Sequence, residues 1–388
     1  MNEKALGLLR KVSTDKGFLA SSSDISNYKR IWARDGVICT LAALSSGDKQ
    51  LIEVGKHTLL NLAEHQHEFG NIPSNIEFQG DIVKLSFGGL APRVDTLAWF
   101  IIGVCQYSYS QDDASFFDRL KPHMLKAFRL METWEFNFKH LMYVPRSGNW
   151  ADEYPTQGFT LYDQVLRVWA LRSFLYHEHH LDLAQKQEAI LNQIQINFKK
   201  REDTSEEVYH PKAYSSLKKT KYWVASLEPA GYQTQFDAFG NALALLLGIG
   251  SEKDQKELIN YSEDLRQEVK LKLLPAFWPV ITPEDKEWEL LQNNCAYEFR
   301  NYPYQFHNGG TWQMINGFYG LALLKANYRD SAETVLRLIK DLNAKKDWKF
   351  YENFDSMTGN PNGVPLCAWS AAAEIILEQN LKHNTLIL

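Results

Sequence analysis

Cysteine is scarce in this chain: Cys39, Cys105, Cys295 and Cys367 are the only four in 388 residues, and none forms a CxxC pair. Three of them fall within apolar helical runs, so buried free thiols are expected rather than a disulfide framework or a metal knot. The sequence also lacks HExxH and any clustered His/Cys set, and no metal and no cofactor are expected. "GDIVKLSFGG" does not have the GxxxxGK[ST] spacing of a phosphate loop. A surplus of positive charge is missing too, with 42 Lys and Arg against 47 Asp and Glu. That balance speaks against nucleic acid or an anionic membrane surface as partner. No run reaches the roughly 18 apolar residues of a membrane span. The opening "MNEKALGLLRKVSTDKG" has neither the apolar core nor the cleavage site of a signal peptide, so a cytoplasmic location is expected.

What the chain does have is apolar and aromatic content. Hydrophobic residues make up 45% and aromatics 13%, including 11 Trp and 18 Tyr, enough for a large core and for the flat faces on which sugar rings are held. Helical periodicity marks twelve segments, near 3–14, 34–46, 48–66, 92–109, 113–134, 160–180, 182–198, 234–250, 252–269, 311–328, 330–345 and 366–381. The even-numbered ones, such as "VDTLAWFIIGVC" and "CAWSAAAEIIL", are apolar almost all round, whereas odd-numbered ones such as "DSAETVLRLIKDLNAK" carry a polar face. A helix apolar on every side must be buried and an amphipathic one borders water, so the even helices form an inner ring and the odd ones an outer ring. Each even helix reaches the next odd one through a short link such as "SSG" or "GS", while the return is long. Short links make antiparallel neighbours. Six such hairpins give an all-α fold, an (α/α)6 barrel, with the long loops gathered at one mouth. No break marks a second domain: residues 1–388 read as one barrel with loop excursions at 199–233 and 270–310.

Those long loops carry nearly all of the polar and aromatic clusters: "YKRIWARD" (28–35), "GNIPSNI" (70–76), "GGLAPRVD" (88–95), "RSGNWADEYPTQG" (146–158), "KYWVASLEPAGYQTQFD" (221–237), "FHNGGTW" (306–312) and "DWKFYENFDSMTGNPNGVPLCAWS" (347–370). Loops on the rim of a rigid scaffold are where binding and chemistry concentrate. Asp95 and Asp237 stand near helix N-termini, where capping is their expected duty. Asp35 can cap or pair with Arg34 or Arg30 beside Trp32. Glu352 is the sole glutamate of the last loop. Cleavage of a glycosidic bond needs one carboxylic acid to protonate the leaving oxygen and a second carboxylate to activate water or attack the anomeric carbon. Asp152 and Glu352, on loops entering the third and sixth inner helices, are opposite each other in a six-membered ring and suit that pair. His307 is a ligand, a base or a hydrogen-bonding loop histidine.

In combination, "FHNGGTW", "WKFYENFDSMTGNPNG" and "AWSAAAEIIL" resemble the C-terminal part of neutral and alkaline invertases and of processing and glycogen-debranching glucosidases. "WARDGVICTLAAL", "GNIPSNI" and "APRVDTLAWFIIGVCQYS" resemble the same clan, including glucoamylases for the WxRD element. The resemblance runs from about residue 28 to 378. It implies an (α/α)6 barrel and an inverting, exo-acting α-glycosidase without cofactor, acting on a terminal α-D-glucosyl bond of sucrose-like or short α-glucan substrates. Asp152 falls at the general acid and Glu352 at the general base. Arg34 and Asp35 match the pair that grips the terminal sugar, and His307, Asn308, Trp312 and Trp369 match positions that line or support the pocket. Trp32, Asn75, Arg93, Asp95, Trp150, Glu153 and Tyr351 complete the expected substrate-binding set. The surroundings of Asp152 depart from the invertase pattern, which keeps Glu153 as a rival acid. Two other functions fit the barrel: a sugar epimerase or isomerase working through His307, and a non-catalytic carbohydrate-binding barrel. The aromatic rim is expected to raise the pKa of Asp152 by desolvation, and Glu352 is expected to stay ionised.

Overall fold

The computed structural model describes residues 2–202 and 208–386. Twelve long helices dominate it: α1 (Glu3–Lys11), α2 (Ala33–Ser46), α3 (Lys49–Glu64), α4 (Asp95–Gln111), α5 (Ala114–Thr133), α6 (Leu161–His177), α7 (Leu181–Asn197), α9 (Ala238–Leu246), α10 (Glu252–Glu268), α12 (Gln313–Lys325), α13 (Arg329–Asn343) and α15 (Ala368–Asn380). Three short segments, α8 (Pro211–Ser216), α11 (Trp288–Asn294) and α14 (Lys345–Trp348), lie between them.

The ring closes as the periodicity predicts. α2 packs on α4, α4 on α6, α6 on α9, α9 on α12, α12 on α15, and α15 returns to α2. α3, α5, α7, α10 and α13 each pack outside the inner helix that precedes them, and the N-terminal α1 covers α15. All but two residues of α2 and every residue of α9 are buried, whereas α13 buries only Ala332, Val335, Ile339, Leu342 and Asn343 on one stripe. The centre is an aromatic plug: Trp99 of α4 meets Trp169 of α6 edge-on at 5.8 Å, Phe239 of α9 at 6.3 Å and Phe318 of α12 at 5.9 Å. The thiols of Cys39, Cys105 and Cys367 are buried, Cys295 is half-buried, and all four are free.

Among the described residues, nine short strands decorate the ends of the inner helices. β1 (Ile31–Trp32), β2 (Asn75–Gln79) and β3 (Ile82–Ser86) form one antiparallel sheet; β4 (Phe159–Thr160), β5 (Val224–Glu228), β6 (Gly231–Asp237) and β7 (Phe277–Trp278) form a second; β8 (Asn353–Phe354) and β9 (Pro361–Asn362) pair alone. β1, β4 and β6 run straight into α2, α6 and α9, so sheet pairing fixes where those helices begin. This shortens the helix expected over 234–250. Phe236 and Asp237 pair with Trp278 and Phe277, and Asp237 caps α9 by accepting from the Phe239 and Gly240 N–H groups at 3.1 and 3.0 Å. Gly248 and Gly250, both with positive φ, end the turn beyond it. The excursion expected at 199–233 carries α8, β5 and part of β6; its residues 203–207 lie outside the described residues.

The inner helices approach closely where small residues face each other. A Cβ on Gly317 of α12 would sit 2.7 Å from the Ala373 Cβ and 3.1 Å from its Cα on α15. Overpacking of this kind costs about 1–3 kcal/mol. Gly317→Val is therefore expected to lower the urea midpoint by that equivalent. Gly7→Ala, on the exposed face of α1 with nothing within 4 Å, should gain about 0.5–1 kcal/mol from helix propensity. Equilibrium urea unfolding of both variants checks the pair.

Candidate active site

The loops that precede the inner helices enclose one cavity of about 840 Å3, near the upper end of the roughly 300–1,000 Å3 typical of small-molecule sites. Trp32, Arg34, Asp35, Asn75, Arg93, Trp150, Asp152, Glu153, His307, Trp312, Glu352 and Trp369 all line it. Three of the expected residues do not. Asn308 is fully buried and laces the backbone together, its amide exchanging hydrogen bonds with the Ile281 N–H and C=O at 2.8 Å each. Tyr351 turns its ring to Phe354 and offers only its carbonyl, which accepts from Gln313 and Ser370. Asp95 lies behind the wall and makes no side-chain cap on α4.

Asp95 has another duty. Its Oδ2 accepts from Arg34 Nη1 at 3.1 Å and from Tyr162 Oη at 3.1 Å, and Trp99 donates to the same Tyr162 hydroxyl at 2.9 Å. A polar chain thus runs from the central plug to Arg34, whose guanidinium lies 5.2 Å over Trp369 and 3.6 Å from Asp35. Asp35 sits in the first turn of α2 beside that cation, yet burial wins and pushes its carboxyl up to about 6. His307 is stacked on Trp312 at 5.2 Å and 4°, with Trp150 edge-on at 5.1 Å. Desolvation, aided by Arg300, Arg34 and Arg93, holds its pKa well below the ordinary histidine value. The ring is therefore neutral, and its buried Nδ1 has no partner within the protein.

The two carboxyl groups of interest sit in contrasting places. Glu352 is 3% exposed; Tyr28 Oη donates to its Oε1 at 2.6 Å and the Val364 N–H to its Oε2 at 3.3 Å. Gly363 has φ of +69°, and a Cβ there would lie 2.3 Å from Oε2. The glycine turn of the last loop therefore exists to let backbone close over this carboxylate. Thr311 and Phe354 exchange both backbone hydrogen bonds, at 2.8 and 2.9 Å, and sew the same loop to the start of α12. Contrary to the expectation of a freely ionised group, burial pushes Glu352 up to about 7, against the opposing pull of Tyr28 and Arg300.

Asp152 is the open one. Its side chain is 34% exposed and accepts from Arg93 Nη2 at 2.6 Å. Glu153, the rival, is gripped at both oxygens by Arg300 and is more deeply buried; desolvation raises its pKa despite that cation. Two contributors had no sequence assignment. Tyr28 opens the "YKRIWARD" stretch and Arg300 lies in the excursion 270–310, and each meets its carboxylate across more than a hundred residues of chain.

Comparison with known proteins follows the same lines. The family described as "Alkaline and neutral invertase" matches residues 212–383. Neutral/alkaline invertase 1, mitochondrial, from Oryza sativa subsp. japonica is 24% identical over 139 residues, covering 36% of this chain and 21% of that protein. Probable alkaline/neutral invertase F from Arabidopsis thaliana is 22% identical over 442 residues, covering 97% of this chain and 85% of that one. The chain thus spans only about a fifth to a quarter of the first curated relatives it matches, 21% and 25%. Among solved structures, a GH63 mannosylglycerate hydrolase from Thermus thermophilus superposes with TM-score 0.72 at 12% identity, over 96% of this chain and 98% of that one. A bacterial glucoamylase bound to acarbose gives 0.67 at 16%, over 99% and 56%. The fold is that of the six-hairpin glycosidases. In sequence and in fold alike, the chain is similar to glycoside hydrolases.

A carboxyl group with a folded pKa near 7 and an unfolded value near 4.5 binds more protons folded than unfolded between those pH values. Its contribution to stability is therefore present below the unfolded pKa and lost as pH rises through about 7. Glu352→Gln, which mimics the protonated form, is expected to raise Tm relative to the parent more at pH 8 than at pH 5. Calorimetry at the two pH values gives the sign directly; an equal shift at both would mean Glu352 keeps an ordinary pKa.

Proposed function

We propose that this protein is a glycoside hydrolase of the invertase and GH63 type, releasing a terminal α-D-glucosyl residue with inversion from a sucrose-like or short α-glucan substrate. Asp152 serves as general acid and Glu352 as general base. The observation that carries this reading is that both carboxyl groups line one cavity from loops that precede α6 and α15, third and sixth members of the inner ring. A pair across a sugar ring, about 6.5–9.5 Å apart, leaves room for the attacking water that inversion requires.

The roles follow from position. The leaving group must depart toward the mouth, so the acid belongs at the more exposed end, where Asp152 sits beside Arg93. The water is activated on the far face of the sugar, within the enclosed part of the cavity, where Tyr28 and Val364 hold Glu352. Arg34, Asp35 and Trp369 grip the glucosyl hydroxyls, and Trp150, His307 and Trp312 shape the wall. Against the epimerase reading, His307 is held neutral and is a poor reservoir for the proton that a histidine acid must carry.

One observation favours an exchange of roles: burial keeps the proton on Glu352, while Arg93 faces the Asp152 carboxylate. α-Glucosyl fluoride separates the two, because fluoride departs without protonation and so bypasses the acid. Asp152→Asn is expected to lose about 100- to 10,000-fold on a disaccharide and far less on the fluoride, whereas Glu352→Gln loses both. The converse pattern would exchange the two assignments. Proton NMR of the products should show β-glucose first; α-glucose first would refute inversion. For the fluoride, which needs no acid, kcat/KM should rise with pH through about 7, as Glu352 in the free enzyme gives up its proton.

A further inference from the structure

We infer that Tyr297 is the platform on which the leaving group stacks, and that the leaving group is itself a sugar ring. This rests on the hydrolase reading above. In any such reaction the leaving group lies beside the acid, so the wall attached to the acid loop is the leaving-group wall. That wall is the segment 294–301. Asn294 Nδ2 reaches the Asp152 carbonyl at 3.5 Å and its Oδ1 accepts from Ser147 Oγ at 3.3 Å. At its other end Arg300 holds the Glu153 carboxylate, and Asn301 Nδ2 donates to the Glu153 carbonyl at 3.0 Å.

Midway between these two ties, on a single 3-10 turn (Ala296–Glu298), stands Tyr297. It lines the cavity yet is fully exposed, at 102%. A tyrosine ring left open to water on the wall of a cavity has an unused apolar face. Its neighbours in the wall are already engaged: Phe299 packs edge-on against Trp288 and Tyr302 at 5.6 and 5.0 Å, and Arg300 lies over Phe306 at 4.2 Å. A cavity of about 840 Å3 has room for a second ring beyond the glucosyl unit. The apolar face of a pyranose or furanose meets Tyr297 there, while a small acid such as glycerate is too short and too polar to use it.

The test compares kcat/KM for α-glucosyl fluoride, which has no ring in the leaving group, with that for the best disaccharide among sucrose, maltose and isomaltose. Tyr297→Ala is expected to lower the disaccharide-to-fluoride ratio about tenfold, the size of one aromatic stacking contact. Tyr297→Phe, which keeps the ring and loses only the hydroxyl, should retain most of the ratio. A ratio unchanged in Tyr297→Ala overturns the proposal. So does a wild-type enzyme that cleaves the fluoride and no disaccharide, which leaves the hydrolase reading intact. If the wild type cleaves neither the fluoride nor any disaccharide, the hydrolase reading itself falls, and the platform with it.

Discussion

Six helices apolar on nearly every side can be stable only if each has a neighbour on both flanks, and a closed ring is the arrangement that supplies one. Everything else here depends on that closure. It is completed by the last inner helix, α15, lying between α12 and α2, with the N-terminal helix α1 laid over its outer side. The small residues at the α12–α15 approach and the aromatic plug around Trp99 are consequences of packing such helices around a common axis at crystal-like density. Closure also aligns the helices, so that Trp32, Trp312 and Cys367, the residues just before α2, α12 and α15, all come to one end.

That convergence determines the electrostatics of the mouth. Carboxylates near helix N-termini and beside arginines would ordinarily be stabilised as anions by a fraction of a kcal/mol to about 2 kcal/mol from the dipole alone. Here burial outweighs both aids for Asp35, whose pKa rises to about 6, and outweighs Tyr28 and Arg300 for Glu352, whose pKa rises to about 7. Asp237 shows the same balance away from the cavity: two backbone N–H groups cap onto it, and desolvation still pushes it up to about 7. Where the cavity opens, pairing proceeds under partial hydration, as at Asp152 with Arg93. The scaffold therefore holds the carboxyl groups of its cavity at different depths, Glu352 enclosed and Asp152 at the open end.

Much of the barrel could be read from one sequence because periodicity is a local property. The all-apolar runs at 34–46 and 366–381, the amphipathic run at 330–345 and the short links between paired helices are each visible within twenty residues, and together they specify a ring. What escaped is non-local. The helix start at Ala238 is set by a sheet that joins residues 159–160, 224–228, 231–237 and 277–278. Asp95 looked like a cap because it begins a helix, but its partner Arg34 is 61 residues away. Asn308 and Tyr351 share short motifs with true cavity residues; the direction in which a loop side chain points is decided by its backbone torsions, which a motif does not encode. Tyr28 and Arg300 were invisible for the same reason, their partners being 324 and 147 residues distant.

The two carboxyl groups are also held by different parts of the fold. Glu352 is fixed by elements of the barrel proper: the segment before β1 through Tyr28, the glycine turn through Gly363 and Val364, and the start of α12 through Thr311. Asp152 and Glu153 are held chiefly by Arg93 and by the 294–301 segment, an excursion that stands outside the ring. The part of the chain that most needs explaining in terms of substrate is then the part with the least regular structure, and its exposed aromatic, Tyr297, is the residue that ring closure does not account for.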